Sequence, residues 1–285
     1  MEYSWLDKAE YPFRSNYLNV NGHKLHYVDE GKGEVVLFIH GTPSWSFDYR
    51  NVIKPLSKSF RCIAIDHIGF GLSDKPEHYD YSTQNHSATL ESFVQHMNLQ
   101  DVTLVVHDFG GPIGLNFAIK NAERIKRLVV LNSWLWSSEA EPEYIKLRKV
   151  LKSPVLPFLY RYLNFSARFV LPSSFGRHKL SGKLLKQYTA PFAYRTQRNG
   201  TLAFAKSLLN DQQWFEELWQ RKEVIAIKPT LFIWGMNDPV ISPKYLDKFI
   251  SGFSNNTVIK LEGCGHFPQE ECAQEVAHAI SGFAK

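Results

Sequence analysis

The chain has 285 residues, is 44% hydrophobic and 21% charged, and carries a formal net charge of +5. That fits one globular unit of α/β size, with a well-buried core and room for an insertion. Its lysines and arginines read as scattered among acids, so the charge is taken as solubility, with neither a nucleic-acid nor a membrane face expected. No apolar run approaches the ~18 residues of a membrane span.

The first segment, MEYSWLDKAEYPF, is charged and has no apolar stretch of the kind a secretory leader carries. Cys62, Cys264 and Cys272 are odd in number and lack metal-ligand spacing. The expectation is a reducing, cytoplasmic compartment, with no metal and no cofactor. Next, 17-YLNV-20 and 23-HKLHYV-28 flank Asn21-Gly22, the signature of a two-residue type I′ hairpin turn. Short β-branched runs then recur at 35–39, 62–65, 102–106, 128–132, 230–234 and 257–261. They read as parallel strands buried on both faces. Segment 112–125 opens on proline and predicts a helix. Strands alternating with helices predict a mostly parallel sheet of about eight strands, flanked by helices on both faces. After Asn132 the rhythm stops. Residues 133–228 are rich in aromatic residues and helix formers, as in 155–171. They predict a helical cap inserted into a core made of 1–132 and 229–285.

Ligands of open α/β sheets bind at the carboxyl ends of the strands. Those ends carry 40-HGTPSW-45, 66-DHIGFGLSD-74, 107-HDFGG-111, 235-GMNDP-239 and 263-GCGHF-267. Asp108 sits on a glycine-flanked strand-to-helix turn, where N–H groups and the positive end of a helix dipole favour an anion. Asp238 is placed to orient one nitrogen of His266 and leave the other to activate water. Each residue also has a plainer reading. Asp108 suits a helix cap, Asp238 suits a cap of a helix starting near Ser242, and His266 suits a satisfied core histidine. His40 suits a loop-fixing role.

In this order and setting, HGTPSWSFDYR at 40–50, DHIGFGLSDKP at 66–76, HDFGGPIG at 107–114, NSWLW at 132–136, GMNDP at 235–239 and GHFPQEE at 265–271 resemble an α/β-hydrolase of the haloalkane dehalogenase branch. The cap stretch YTAPFAYR at 188–195 has the same look. The resemblance implies that Asp108 displaces a leaving group from carbon to form an alkyl ester, which water activated by His266 and Asp238 hydrolyses. It implies a small hydrophobic substrate and a monomer or homodimer. Relatives of that branch hold the halide with a tryptophan after the nucleophile and often an asparagine after His-Gly; here those positions are Phe109 and Thr42. Their backbone N–H groups are the expected leaving-group or oxyanion donors, with Trp45, Trp134, Trp136 and Tyr188 as candidate pocket residues, the tryptophans suiting pocket wall or core alike. An epoxide hydrolase, with Tyr188 and Tyr194 as candidate proton donors, and a β-lactone-processing hydrolase are the alternatives. A ligand-binding relative without catalysis is an alternative of another class.

Overall fold

A computed structural model describes residues 3–285. Eight strands form one sheet: β1 (Asn16–Val20), β2 (His23–Glu30), β3 (Val35–Ile39), β4 (Arg61–Ile65), β5 (Val102–Asp108), β6 (Ile125–Ser133), β7 (Thr230–Gly235) and β8 (Asn256–Leu261). Their order is β1-β2-β4-β3-β5-β6-β7-β8. The β1–β2 and β2–β4 pairs are antiparallel, and the remaining neighbours run parallel. Asn21 and Gly22 both take left-handed φ, 52° and 85°, as the expected hairpin turn requires.

Every residue of β5 is buried because helices cover both faces of the sheet. The side-chain period of two divides it cleanly. Leu104 and Val106 join one apolar cluster with Phe93 of α2 (Thr83–His96) and Leu115 of α3 (Gly110–Lys120). Val105 joins the other cluster, with Ile53 of α1 (Arg50–Leu56) and Val276 of the C-terminal helix Ala273–Ala284.

Between β6 and β7 the described chain forms helices and turns only, beginning with α4 (Pro142–Leu151) and α5 (Leu156–Leu163). One expected helix is shorter than the sequence suggests. The one drawn over 112–125 ends at Lys120, and a 3-10 turn, Ala122–Arg124, leads into β6. The run 155–171 breaks at Asn164, whose φ of 52° stops α5, and resumes as a π-helical turn at Ser166–Val170. Asparagine tolerates that left-handed conformation better than its neighbours, and its amide reaches Thr189 O at 3.4 Å. No helix among the described residues is long and apolar enough to cross a membrane.

Candidate active site

Asp108 ends β5 and turns into α3 with φ 51°, a left-handed conformation that costs a non-glycine residue ~1 kcal/mol or more. Tight packing holds it there. A Cβ on Gly41 would collide with the Asp108 carboxylate, and one on Gly110 with Ile39 O. Ser133 Oγ donates to Asp108 O at 2.7 Å, tying the turn to the end of β6. Asp108 Oδ1 accepts Thr42 N–H at 2.8 Å, and the Phe109 N–H also serves the carboxylate. Burial alone would raise the pKa of this carboxyl. The His266 imidazole and the Phe109 N–H outweigh that and hold it below the ordinary value.

His266 lies between two carboxylates. Its Nδ1–H donates to Asp238 Oδ2 at 2.7 Å, and its Nε2 is 3.4 Å from Asp108 Oδ2. All three side chains are buried. Burial works against an imidazolium here, but Asp238 and Asp108 outweigh it and raise the His266 pKa to about 10. Asp238 does not cap the helix Pro243–Gly252. Its Oδ1 takes the N–H groups of Val240 (2.6 Å) and Ile241 (3.0 Å), which fixes the loop after β7. The sequence motifs thus come together at the ends of β5, β7 and β8.

Two supporting residues escaped the sequence reading. Asn132, at the end of β6, donates to Asp238 Oδ2 at 2.8 Å and accepts Gly235 N–H at 2.8 Å, so one amide aligns the acid and its strand. His107 donates from Nε2 to His266 O at 2.6 Å and accepts from Gln269 Nε2 at 3.0 Å. Burial drives its pKa down to about 3, so it is a neutral clamp on the His266 backbone. His40 fixes its loop as expected, with Nδ1–H on Gly41 O (2.6 Å) and Nε2 accepting His67 N–H (3.0 Å).

A cavity of about 200 Å³ joins Asp108 to the helical layer. Thr42, Asp108, Phe109 and His266 line one end, and Leu151 and Tyr160 are among the cap residues at the other. A larger groove of about 960 Å³ between α1 and the C-terminal helix is remote from Asp108 and His266, and its lining mixes lysines with glutamates. We assign the chemistry to the smaller, mainly apolar cavity.

The expected pocket residues lie elsewhere. Trp45, Trp134, Trp136 and Tyr188 do not line this cavity. Trp45 sits beneath the sheet against Tyr11 and Phe47, with its indole N–H on Gln187 O at 3.1 Å. Trp134 lies behind Phe109, edge-on at 4.8 Å, and Trp136 packs among Trp219, Tyr245 and Phe249. Tyr188 donates to Glu270, and Tyr194 is 71% exposed. In each case the local backbone, a loop for all but Tyr188, points the side chain away from the cavity, a direction that residue type does not encode. The Thr42 N–H, read from sequence as a leaving-group donor, is engaged by Asp108 instead. Its hydroxyl Oγ1 is buried beside Asp108 with no hydrogen-bond partner among the described residues. A second hydroxyl on the cavity wall belongs to Tyr160, whose pKa burial pushes up to about 12.

A model of the alpha/beta hydrolase fold family matches residues 34–273. A cis-3-alkyl-4-alkyloxetan-2-one decarboxylase of Shewanella oneidensis is 36% identical, over 95% of this chain and 88% of its own length. Haloalkane dehalogenase 2 of Mycobacterium tuberculosis is 32% identical, over 96% of both chains. Among solved structures, a putative ancestral haloalkane dehalogenase superposes with a TM-score of 0.83 at 26% identity, over 94% of this chain and 99% of that one. The haloalkane dehalogenase DatA of Agrobacterium tumefaciens gives 0.84 at 23% identity over 95% of both, a likeness of fold alone. With the sheet order, the turn at Asp108 and the family match in agreement, the chain belongs to the α/β-hydrolase fold family, in the branch shared by haloalkane dehalogenases and cis-3-alkyl-4-alkyloxetan-2-one decarboxylases.

Proposed function

We propose that this hydrolase attacks a small apolar electrophile at an sp³ carbon, as a haloalkane dehalogenase does, turning haloalkane and water into alcohol, halide and a proton. The observation that carries the reading is an ionised carboxylate at the floor of an apolar cavity, with a histidine–acid pair 3.4 Å from one of its oxygens. Asp108 needs no base for displacement because it is already an anion at neutral pH. Its oxygen forms a bond to carbon, and the leaving group departs with the bonding electrons. Water then attacks Cγ of the ester and gives a proton to His266 Nε2. Negative charge develops on Oδ1, which accepts the Thr42 N–H, and the Phe109 N–H beside the same carboxyl completes the oxyanion hole. Collapse releases the alcohol and restores the carboxylate. The scheme asks for no metal or cofactor. Three free, buried cysteines support a reducing, cytoplasmic setting.

A second reading, a β-lactone substrate, is favoured by the donor set. Phe109 has no N–H on its ring, and the hydroxyls of Thr42 and Tyr160 suit an oxygen leaving group. Ring opening would expel a carboxylate oxygen that stays attached to the substrate. Product mass separates the outcomes: alcohol from a haloalkane, hydroxy acid from a lactone plus water, or alkene and carbon dioxide from a lactone alone.

The nucleophile is tested by one turnover with enzyme in excess in ¹⁸O water. The expected product is unlabelled, and the peptide containing Asp108 gains the heavy oxygen. Labelled product with an unlabelled peptide means that water attacks carbon directly, and the proposal fails.

A further inference from the structure

The net charge of the chain is not spread evenly. Between Tyr144 and Asn210 there are thirteen lysines and arginines and no aspartate or glutamate. The rest of the chain holds twenty basic residues against all 28 acidic ones. The cap is thus strongly cationic on an otherwise anionic core, which the averaged charge conceals. Some of these cations are already paired, as Lys183 is with Asp7 and Arg177 with Glu275. Lys146, Lys149 and Lys152 are exposed and form no ion pair among the described residues.

The same region carries the exposed apolar surface. Of thirteen exposed large hydrophobic side chains among the described residues, eight fall between Ile145 and Phe169. Val155 and Phe158 are 52% and 53% exposed, and Phe158 stacks on Tyr162 at 5.0 Å. A helix pair that shows aliphatic and aromatic groups to solvent beside unpaired lysines is the pattern of a segment lying in a membrane interface. The face is also continuous with the cavity. Leu147 and Val150 are both exposed and part of the cavity wall, so the path to Asp108 opens among these residues.

We propose that the α4–α5 face of the cap docks on an anionic phospholipid surface and that lipophilic substrate enters the cavity directly from the bilayer. This departs from the expectation, drawn from overall charge, that the protein has no membrane partner. Charge complementarity selects the occupant. A second copy of the same face would bring like charges together. A nucleic acid would leave Ile145, Val155 and Leu163 without apolar contact, because only planar rings stack on bases. A bilayer interface satisfies both halves of the pattern, phosphates for the lysines and acyl chains for the apolar groups. The docking stands apart from the chemistry at Asp108, since binding is read without substrate.

The test is co-sedimentation of the full chain with vesicles. Phosphatidylcholine vesicles containing about one third phosphatidylglycerol should retain the protein at low ionic strength. Pure phosphatidylcholine should retain much less, and about 0.5 M salt should release most of it. Lys146→Glu/Lys149→Glu/Lys152→Glu should weaken partition by at least about tenfold. Val155→Ser/Phe158→Ser should also weaken it by about tenfold, with turnover of a water-soluble substrate and circular dichroism unchanged. Failure of the native chain to sediment with anionic vesicles at low salt overturns the proposal. So does sedimentation that the Val155→Ser/Phe158→Ser variant leaves intact and that DNA or polyglutamate abolishes, which marks general attraction to polyanions.

Discussion

Replacing Thr42 with valine should change stability and rate in opposite directions. Thr42 Oγ1 is buried in the cavity wall with no hydrogen-bond partner among the described residues, while the backbone N–H of the same residue is held by Asp108 Oδ1 at 2.8 Å. Valine keeps the shape and the N–H and deletes only the hydroxyl. An unpaired buried hydroxyl costs ~1–3 kcal/mol, so Thr42→Val should stabilise the empty enzyme by ~1 kcal/mol, raising Tm by ~2 °C for a chain of this size. The leaving group loses a donor at the same time. That is worth ~2–3 kcal/mol in the transition state of displacement, or ~30–100-fold in the alkylation rate. The hydrolysis rate should hold, because its oxyanion hole is made of backbone. The assay pairs a thermal melt with single-turnover halide release from a bromoalkane and chase of the alkyl-enzyme. An unchanged alkylation rate would remove Thr42 from the leaving-group site. A fall in Tm would show that the hydroxyl is satisfied in the folded enzyme.

Asn132→Leu should slow hydrolysis of the alkyl-enzyme ~10–100-fold with little effect on alkylation, since the amide aligns Asp238 and only the second step needs the base. Equal loss in both steps, measured by quenched-flow mass spectrometry, would mean that Asn132 supports the whole site rather than the histidine. Phe109→Trp supplies an indole N–H, but Phe109 is stacked on Phe204 at 4.6 Å and meets Trp134 at 4.8 Å. The larger ring should cost ~1–3 kcal/mol of stability while raising bromide release relative to the native chain. A folded variant with unchanged bromide release would place the ring away from the leaving group.

The strands were legible because parallel strands buried on both faces need β-branched runs; five of the six runs are buried so, while 257–261 forms β8, an edge strand that is only partly buried. Asp108, Asp238 and His266 were legible because each follows such a run beside glycine, where a side chain can stand clear of the sheet. Asn132 and His107 sit in the same quoted motifs, yet nothing in their spacing says that one aligns Asp238 and the other holds the His266 carbonyl. Those roles need three-dimensional register. The tryptophans, which suit pocket wall or core by residue type alone, needed the structure for a related reason. Direction decides between the two, and the backbone turns Trp45 and Trp136 into the core. Tyr160 lies in a run whose aromatic and helix-forming composition says nothing of the break at Asn164, and only that break shows how the layer folds over the cavity. The basic cap was countable from sequence. It was lost by averaging charge over the chain instead of over the insertion.

The electrostatics of the resting site also fix when the base becomes available. With Asp108 and Asp238 on either side, His266 has its pKa raised to about 10 and is an imidazolium at neutral pH. In that form it cannot accept a proton from water. Alkylation of Asp108 turns one of the two carboxylates into a neutral ester and removes its share of the stabilisation, while burial still penalises the cation. The pKa of His266 must therefore fall when the ester forms. At a working pH between the two values, the imidazolium releases its proton in the first step and becomes the base for the second. The overall reaction gives one proton per haloalkane in any case; the charge arrangement determines which step releases it. A pH indicator in weak buffer, followed beside halide release during a single turnover near pH 8, should show proton and halide appearing together. His266→Gln should still release halide but no proton in that phase, because glutamine holds none to give. If the native proton instead appears with the alcohol, His266 is neutral at rest, and the two carboxylates do not control the base in this way.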